Sequence, residues 1–475
     1  MTSRREDVLA RWVVGGAFAW FAARLVYLAV AVDPSVPPDE TTHVGRVLAF
    51  AATWGIPEPG PDNHALGLLG DRPFLYNWLL GRVASLASFA LDETSRLVAL
   101  RLVNAALALA TAAYGVLAIR IVTTERLAHA VFAVLVTNTL MLTGIGASVS
   151  YDNGANLLGA VSFYYLARLF RDARPRDLAS LAIVLGLGCL TKRSFLPVAA
   201  LFVLAVLLHE RRRAGELVAS IARMGRLRTA VAMGVALATL WLYGGNWLEY
   251  GRLVPEFDQV VGLEAARQNR IFARDTILDD YREGVIDLPE AMRRTSWIDH
   301  AGDRAAARRQ LAGLHRRGDE RIGPVDYTAL WVRIMIDRAF GYFGHQVVFV
   351  PPWQRYAHGG VLLLGVVLHV ATWRRRPDPI ARWGGGLAIA YAAVLLWIVN
   401  YPNYLSRGIV DAGVQGRYLF PVWTPLMVWL ACALGSWSPA RLRWPLAGLV
   451  CGLFLYGDLP AFLQRAAPTW FTGTP

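Results

Sequence analysis

Runs of about 18 or more nearly uncharged apolar residues recur from one end of this chain to the other, and as a helix each is long enough to cross the hydrocarbon of a bilayer. Apolar residues make up 55% of the sequence, charged residues only 17%, and the mean hydropathy is +0.37, which is the composition of a chain that lives in lipid. The expected fold class is an all-α polytopic membrane protein. The runs lie at roughly 10–32, 96–120, 128–148, 153–170, 177–191, 195–209, 229–248, 356–373, 384–401, 416–435 and 444–463, so the sequence predicts about eleven transmembrane helices. The first run, from about Val13 to Val32, is longer than the core of a secretory signal. It is expected to remain as the first span.

The formal net charge of +13 would suggest a nucleic-acid partner in a soluble protein, but here the position of the charge decides. Arg4, Arg5 and Arg11, Arg120 and Arg126, Arg171, Arg174 and Arg176, the segment 211–228, Arg374 to Arg376, and Arg441 with Arg443 all fall between apolar runs on one side. By the positive-inside rule that side is the cytoplasm, where the N-terminus also lies. Membrane orientation accounts for the basic excess, and no nucleic acid is expected as a partner. Cys189, Cys432 and Cys451 sit scattered in apolar runs, too few and too far apart for a disulfide framework or a zinc motif.

Three segments follow from this topology. Residues 1–248 form a transmembrane module with a first outer loop at 33–95; residues 249–355 form an extracytoplasmic helical cap and interfacial helix; residues 356–475 carry the C-terminal spans. Two stretches, "RPFLYNWLLGRVASLASFAL" after the first span and "YTALWVRIMIDRAFGYFGHQ" before the eighth, are interrupted by charge and read as amphipathic helices in the outer interface. No internal repeat is evident, which weighs against an inverted-repeat transporter.

The polar clusters gather on the outer face. "PSVPPDETTHVGR" brings Asp39, Glu40 and His43 out of the first span; "SYDN" places Asp152 at a hairpin; "CLTKRSFLP" puts Lys192 and Arg193 at another outer junction. "GVQGRYLFP" adds Gln415, Arg417 and Tyr418, and "FGYFGHQ" adds Tyr342, His345 and Gln346. Each has a plainer explanation. Pro38 as first helical residue, with Asp39 and Glu40 in the first turn and His43 pairing back to Asp39, is an ordinary helix start. Asp152 and Asn153 serve equally as a helix cap, and Arg417 or the Lys192–Arg193 pair as snorkelling cations. What favours a site is their common side, because a charge at bilayer depth costs roughly 2.5 to 3.5 kcal/mol on insertion scales and needs a wet cavity or an anionic partner. Lys192 is moreover the only lysine among 48 basic residues.

Carboxylates at the membrane boundary, cations within the outer leaflet and an apolar groove between helices suit a lipid whose phosphate sits at the interface. Cations such as Lys192, Arg193 and Arg417 would stabilise the departing phosphate, while a carboxylate would take the proton of an incoming hydroxyl. The expected activity is glycosyl transfer from a lipid carrier. A divalent cation, Mg2+ or Mn2+, at an oxygen-rich site drawn from Asp39, Glu40, His43 and Asp152 stays open, although no pair has dedicated zinc spacing. A transporter or flippase of lipid-linked sugar would use the same cavity differently and would need charge in the cytoplasmic half of the spans, where little but Arg168 is found. A non-catalytic envelope-assembly protein is the third reading, and would tolerate Asp39→Asn.

"PPDETTHVGR", "SYDN", "TKRSFLP", "FGYFGHQVVFVPPW" and "GVQGRYLFP" together, in this order and spacing, resemble the recurring signatures of a bacterial family of multi-pass membrane proteins grouped with the GT-C glycosyltransferases, of PMT- and ArnT-like kind. The similarity covers nearly the whole chain; "PPDExxH" with "GVQGRYLFP" is its most specific part. It implies a bacterial plasma-membrane location and a polyprenyl-phosphate-linked sugar donor. It further implies an extracytoplasmic active site, a glycan, lipid or protein acceptor, and inversion at the anomeric centre. It also implies Asp39 as the catalytic carboxylate with Glu40 as its partner. Unlike the oligosaccharyltransferases, the chain has no large soluble C-terminal domain, so acceptor recognition would fall to the cap and the first outer loop.

Overall fold

The computed structural model describes residues 2–60, 63–211, 215, 225–298, 301–317, 320–343, 350–372, 378–436 and 440–472, and the regular elements among them are helices. In chain order they are α1 (Thr2–Ala31), α2 (Glu40–Ala51), α3 (Leu75–Ala87), α4 (Glu93–Val122), α5 (Arg126–Thr137), α6 (Leu140–Gly146), α7 (Tyr151–Asp172), α8 (Pro175–Thr191), α9 (Phe195–His209) and α10 (Arg226–Tyr250). The cap follows as α11 (Phe257–Val261), α12 (Leu263–Ala266), α13 (Arg270–Arg282), α14 (Leu288–Arg294) and α15 (Ala301–Arg317), then α16 (Pro324–Phe340). The C-terminal part holds α17 (Pro352–Thr372), α18 (Pro379–Ala393) running on through a wider turn at Val394–Asn400 into α19 (Tyr401–Arg407), a 3-10 turn at Gly416–Val422, α20 (Trp423–Ser436), α21 (Ala440–Gly457) and α22 (Leu459–Leu463).

Local chemistry sets the ends of these helices. The Asp92 carboxylate accepts the Ser95 N–H at 2.7 Å to open α4, and Asp378 accepts the Ile380 N–H at 2.8 Å ahead of α18, each satisfying an amide that has no partner within its helix. Pro175, Pro324 and Pro379 start their helices, where a missing N–H costs nothing.

Large side chains on α1 (Trp12, Val30), α9 (Leu207, Leu208) and α10 (Leu237, Leu240, Trp241) are exposed. So much contiguous apolar surface is untenable in water and is the lipid-facing coat of a membrane protein. All eleven apolar runs are helical, but six helical stretches among the described residues are long and apolar enough to cross a bilayer, and the bent pair α5–α6 makes a seventh. α7 carries Asp152, Asn153, Asn156, Arg168 and Asp172, while α8 and α9 have only 17 and 15 residues. The expected count of eleven spans therefore exceeds what length and apolarity alone support.

The 63° bend between α5 and α6 takes the Thr137 carbonyl out of a continuous helix. Arg24 of α1 fills that gap: its Nη2 donates to the Thr137 carbonyl at 2.6 Å, and its Nη1 lies 2.8 Å from Asp458, which also accepts the Thr143 hydroxyl at 2.7 Å. One buried ion pair thus fastens α1, the bend and the start of α22. Near it, Asp33 N–H donates to the Trp470 carbonyl and Thr472 N–H to the Ala31 carbonyl, both at 2.8 Å, holding the exit of α1 where the first long loop begins.

The two charge-interrupted stretches are helices, α3 of 13 and α16 of 17 residues, and neither meets the requirement for a span. Their charges are locally satisfied. Arg82 turns back onto the Phe50 and Thr53 carbonyls beside the Trp54 ring, and Arg338 pairs with Asp411 at 2.8 Å. The segment 257–317 has its own small core, Ile277, Leu278, Ala291, Ala307 and Leu311, into which Ile409 of the loop after α19 reaches.

Candidate functional site

The exit of α1 is rigid before the site begins. Arg101, buried on α4, grips Glu40 with two parallel hydrogen bonds, Nε to Oε1 at 2.9 Å and Nη2 to Oε2 at 2.5 Å. Its remaining Nη1 donates to the Ala29 and Val32 carbonyls at the end of α1. Glu40 Oε1 also accepts the Val149 N–H at 2.7 Å. Four chain segments meet at this pair, and both Glu40 oxygens are taken up by it. The partnership of Asp39 and Glu40 that the resemblance implied would leave Glu40 the role of fixing the chain around Asp39.

Nor does the helix start at Pro38. It starts at Glu40, and Asp39 stands just before it with φ 60° and ψ 12°, the left-handed region that a side chain bearing Cβ seldom occupies. Backbone strain at a residue so held marks a place whose surroundings dictate its conformation. In this pose Asp39 Oδ2 meets Arg417 Nη2 at 2.5 Å. Its side chain keeps 29% of its exposure, enough to be reached.

Around that contact the sequence candidates assemble. Ser150 caps α7 by accepting the Asp152 N–H at 3.2 Å, which releases the Asp152 carboxylate from the capping role expected of it. Asp152, buried, forms a close ion pair with Lys192 through Oδ1, while Arg417 Nε stands 3.6 Å from its Oδ2. Arg417 therefore bridges Asp39 and Asp152. The Lys192 ammonium is flanked by two tyrosine rings, Tyr151 at 5.1 Å and Tyr418 at 4.8 Å, a setting that favours a cation through the negative faces of the rings. His43 packs edge-on to Tyr151 at 4.3 Å. Burial, then the charge of Arg46, pushes its pKa down to about 3, so it is a neutral neighbour of the charged cluster at ordinary pH.

Two glycines make the assembly sterically feasible. A Cβ on Gly159 would stand 2.0 Å from the Pro421 carbonyl oxygen, and one on Gly416 would stand 2.4 Å from the Ala339 amide nitrogen. The first lets α7 lie directly on the 3-10 turn that carries Arg417; the second lets that turn lie directly on the end of α16. Asp152 and Arg417, some 265 positions apart in sequence, meet for that reason.

Of the other candidates, Arg193 is exposed beside Lys192, and Gln415 is half-buried with its carbonyl accepting the Tyr418 N–H at 3.0 Å. Tyr342 packs half-buried against the main apolar core, and no hydrogen bond or ion pair joins it to the cluster among the described residues. His345 and Gln346 lie outside the described residues. The proposed metal quartet does not form a common ligand shell: Glu40 is committed to Arg101 and Asp152 to Lys192 and Arg417. No group of three or more His, Cys, Asp or Glu suited to a metal occurs among the described residues.

Arg46 and Arg72 were not singled out from sequence. Arg46 Nε donates to the Leu66 carbonyl at 2.7 Å and Arg72 Nη2 to the Pro255 carbonyl at 2.8 Å. Arg72 feels the charges of both Arg193 and Arg46; burial and these like charges push its pKa down to about 9. Arg46 lies only six residues beyond Glu40 on the same short helix, α2, which is the one sequence signal that pointed to it.

Residues 71–241 match the model of the family described as dolichyl-phosphate-mannose-protein mannosyltransferase. A search of curated proteins gave no match. Among solved structures, the apo oligosaccharyltransferase of Archaeoglobus fulgidus is 13% identical with a TM-score of 0.50; the match covers 97% of this chain and 56% of that chain. This chain thus spans little more than half of that enzyme's length. Apo ArnT from Cupriavidus metallidurans matches at 12% identity and a TM-score of 0.38, over 90% of this chain and 77% of that one. The same ArnT bound to undecaprenyl phosphate matches at 14% identity and a TM-score of 0.37, over 89% and 77%. The chain shares its fold with the Archaeoglobus fulgidus oligosaccharyltransferase, and its residues 71–241 are similar to the dolichyl-phosphate-mannose-protein mannosyltransferase family.

Proposed function

We propose that this protein is an inverting glycosyltransferase that moves a sugar from a polyprenyl carrier, linked through phosphate, to a hydroxyl acceptor on the extracytoplasmic side. The observation that carries this reading is Asp39, held in a left-handed conformation by the buried Glu40–Arg101 fixture and bridged by Arg417 to a second acidic and basic pair. The description of the matched family, which names a dolichyl-phosphate sugar and a protein acceptor, supports a lipid-linked donor. The acceptor hydroxyl oxygen attacks the anomeric carbon as its proton passes to the Asp39 carboxylate. The bond from that carbon to the phosphate oxygen breaks, and the electron pair leaves with the phosphate.

Arg417 is suited to both halves of this step. Its Nη2 holds Asp39, while its Nη1 is buried without a hydrogen-bond partner; a buried donor left unpaired is costly and calls for an acceptor. A phosphate oxygen arriving there would share the guanidinium with Asp39 and loosen the carboxylate for proton transfer. Glu40 acts in this scheme as a positioning residue. The Tyr151 and Tyr418 rings keep Lys192 in place beside Asp152, with the neutral His43 as a neighbour of the cluster.

The test is turnover of a polyprenyl-phosphate sugar with candidate acceptors, read as release of polyprenyl phosphate. Asp39→Asn is expected to lower the rate by about 100-fold to 10,000-fold, the range for removing a positioned base. Wild-type turnover in Asp39→Asn would overturn the mechanism.

A further inference from the structure

Arg168, the charge found in the far half of the spans, has no part in the proposed reaction. Asp152 opens α7, while Arg168, Arg171 and Asp172 close it. At about 1.5 Å per residue these two ends stand about 24 to 30 Å apart, close to the thickness of a bilayer's hydrocarbon core. Arg168 thus belongs to the end of the bundle opposite the Asp39–Arg417 contact.

A cavity of about 500 Å³ lies there, between the ends of α4 and α7, within the size range of small-ligand sites. Arg120, Arg168, Arg171 and Arg174 line it together with Asp172 and Tyr164. Three of these arginines are anchored. Arg168 Nη1 donates to the Tyr164 hydroxyl at 3.0 Å, and its Nε stands 3.1 Å from Asp177 of α8. Arg171 Nη2 donates to the Ile121 carbonyl at 2.8 Å and to Asp378 at 2.6 Å, while Arg174 Nη2 lies 3.1 Å from Asp172. Ala173, left-handed at φ 50° and ψ 36°, reverses the chain between them, so that Arg174 lines the same space as Arg171. Arg120 is different: it is exposed, with neither hydrogen bond nor ion pair among the described residues.

Membrane orientation accounts for an arginine excess on this side, and arginines in the last turns of α4 and α7 answer the helix dipoles. Neither explains a cavity that gathers four guanidinium groups and leaves one without an anion. The remaining lining is apolar. Leu117 and Ile121 share one face of α4; Leu117 is 42% exposed, and one turn before it Tyr114 meets Tyr164 edge-on at 5.6 Å. An apolar groove therefore leads from the arginines toward the middle of the membrane.

A cationic pocket at the interface with an apolar groove rising from it matches a phosphodiester that carries acyl chains. We infer that this cavity binds the headgroup of an anionic glycerophospholipid, with the phosphodiester at Arg120 and Arg168 and an acyl chain along Leu117 and Tyr164. Free phosphate would meet the same cations but make no use of the groove.

The experiment equilibrates the purified full chain in detergent with equal amounts of phosphatidylglycerol and phosphatidylcholine and counts the retained lipids by native mass spectrometry, in wild type, Arg120→Gln and Arg228→Gln. Arg228, an exposed arginine of α10, does not line the cavity, so its loss removes the same charge elsewhere. Thermal unfolding without lipid checks that each variant is folded; Arg120, exposed and without partners, is a position where substitution disturbs little. Wild type is expected to retain phosphatidylglycerol about tenfold over phosphatidylcholine, roughly the worth of one charge-assisted hydrogen bond. Arg120→Gln should lose most of that preference, and Arg228→Gln should keep it. Equal retention of the two lipids by wild type, an unaltered preference in folded Arg120→Gln, or an equal loss in Arg228→Gln would overturn the site. A final arm adds inorganic phosphate: phosphatidylglycerol that stays bound supports the lipid, and its displacement would overturn the lipid in favour of the free ion.

Discussion

At the scale of single residues, the site rests on partnerships that exclude water. Arg101 and Glu40 are both buried, and removing one member of such a pair strands the other charge, a loss of about 3 to 5 kcal/mol. Arg101→Met is expected to lower the thermal midpoint in detergent and to abolish turnover together, because the same side chain orders α1, α2 and the turn before α7. Asp39→Asn, by contrast, should keep the midpoint within a few degrees of wild type while losing turnover. His43 makes a pH prediction. Its pKa, held down by burial at about 3 against an ordinary 6.5, means that the unfolded chain takes up a proton below about pH 6.5 that the folded chain refuses. Stability from this position is full above that value and falls as pH drops toward the folded pKa. Thermal unfolding between about pH 7 and pH 4 should therefore show a shallower fall in His43→Gln than in wild type.

At the scale of elements, backbone-to-backbone approach decides whether the two halves of the site meet. Gly416 lies against the Arg338 carbonyl carbon and the Ala339 amide nitrogen, at 2.6 and 2.4 Å from the position of a Cβ. Overpacking of this kind costs typically about 1 to 3 kcal/mol, and here it would push the 3-10 turn and Arg417 away from Asp39. Gly416→Ala is expected to reduce turnover far more than its modest effect on the thermal midpoint suggests; an unchanged rate would show that the turn is free to shift. The bend between α5 and α6 depends similarly on Arg24. Asp458→Asn leaves that guanidinium without its carboxylate, and the expected outcome is a lower thermal midpoint with little change in donor affinity, because the Asp458 side chain is engaged with Arg24 and Thr143, away from Asp39 and Arg417.

At the scale of the whole molecule, the prediction concerns sidedness. Arg193 follows Lys192, and Gln415 precedes the turn that carries Arg417, so cysteines placed at Asp39, Arg193 and Gln415 should all react with a membrane-impermeant thiol reagent added from the same side of intact cells. Asp39 and Arg193 labelling from opposite sides would dismantle the site.

Much of this was legible in the chain itself. Apolar run length determined that the fold is helical and membrane-embedded, because a backbone in lipid has to satisfy its own hydrogen bonds. The arginine distribution predicted one common face for "PPDETTH", "SYDN", "TKRS" and "GVQGRY", and Asp39, Asp152, Lys192 and Arg417 do come together. Which partner each charge takes was a different matter. Glu40 reads identically to Asp39 in sequence, yet one is locked to Arg101 and the other faces the chamber, and only the packing of α4 against the exit of α1 separates them. Arg46 and Arg72 carried no signal of their own in sequence, and only the fold ties Arg46 to the Leu66 carbonyl and Arg72 to the Pro255 carbonyl. Local sequence dictates helix, loop and burial through short-range forces, while the balance of charge in a cavity is a sum over side chains distant in sequence, and tertiary structure alone performs that sum.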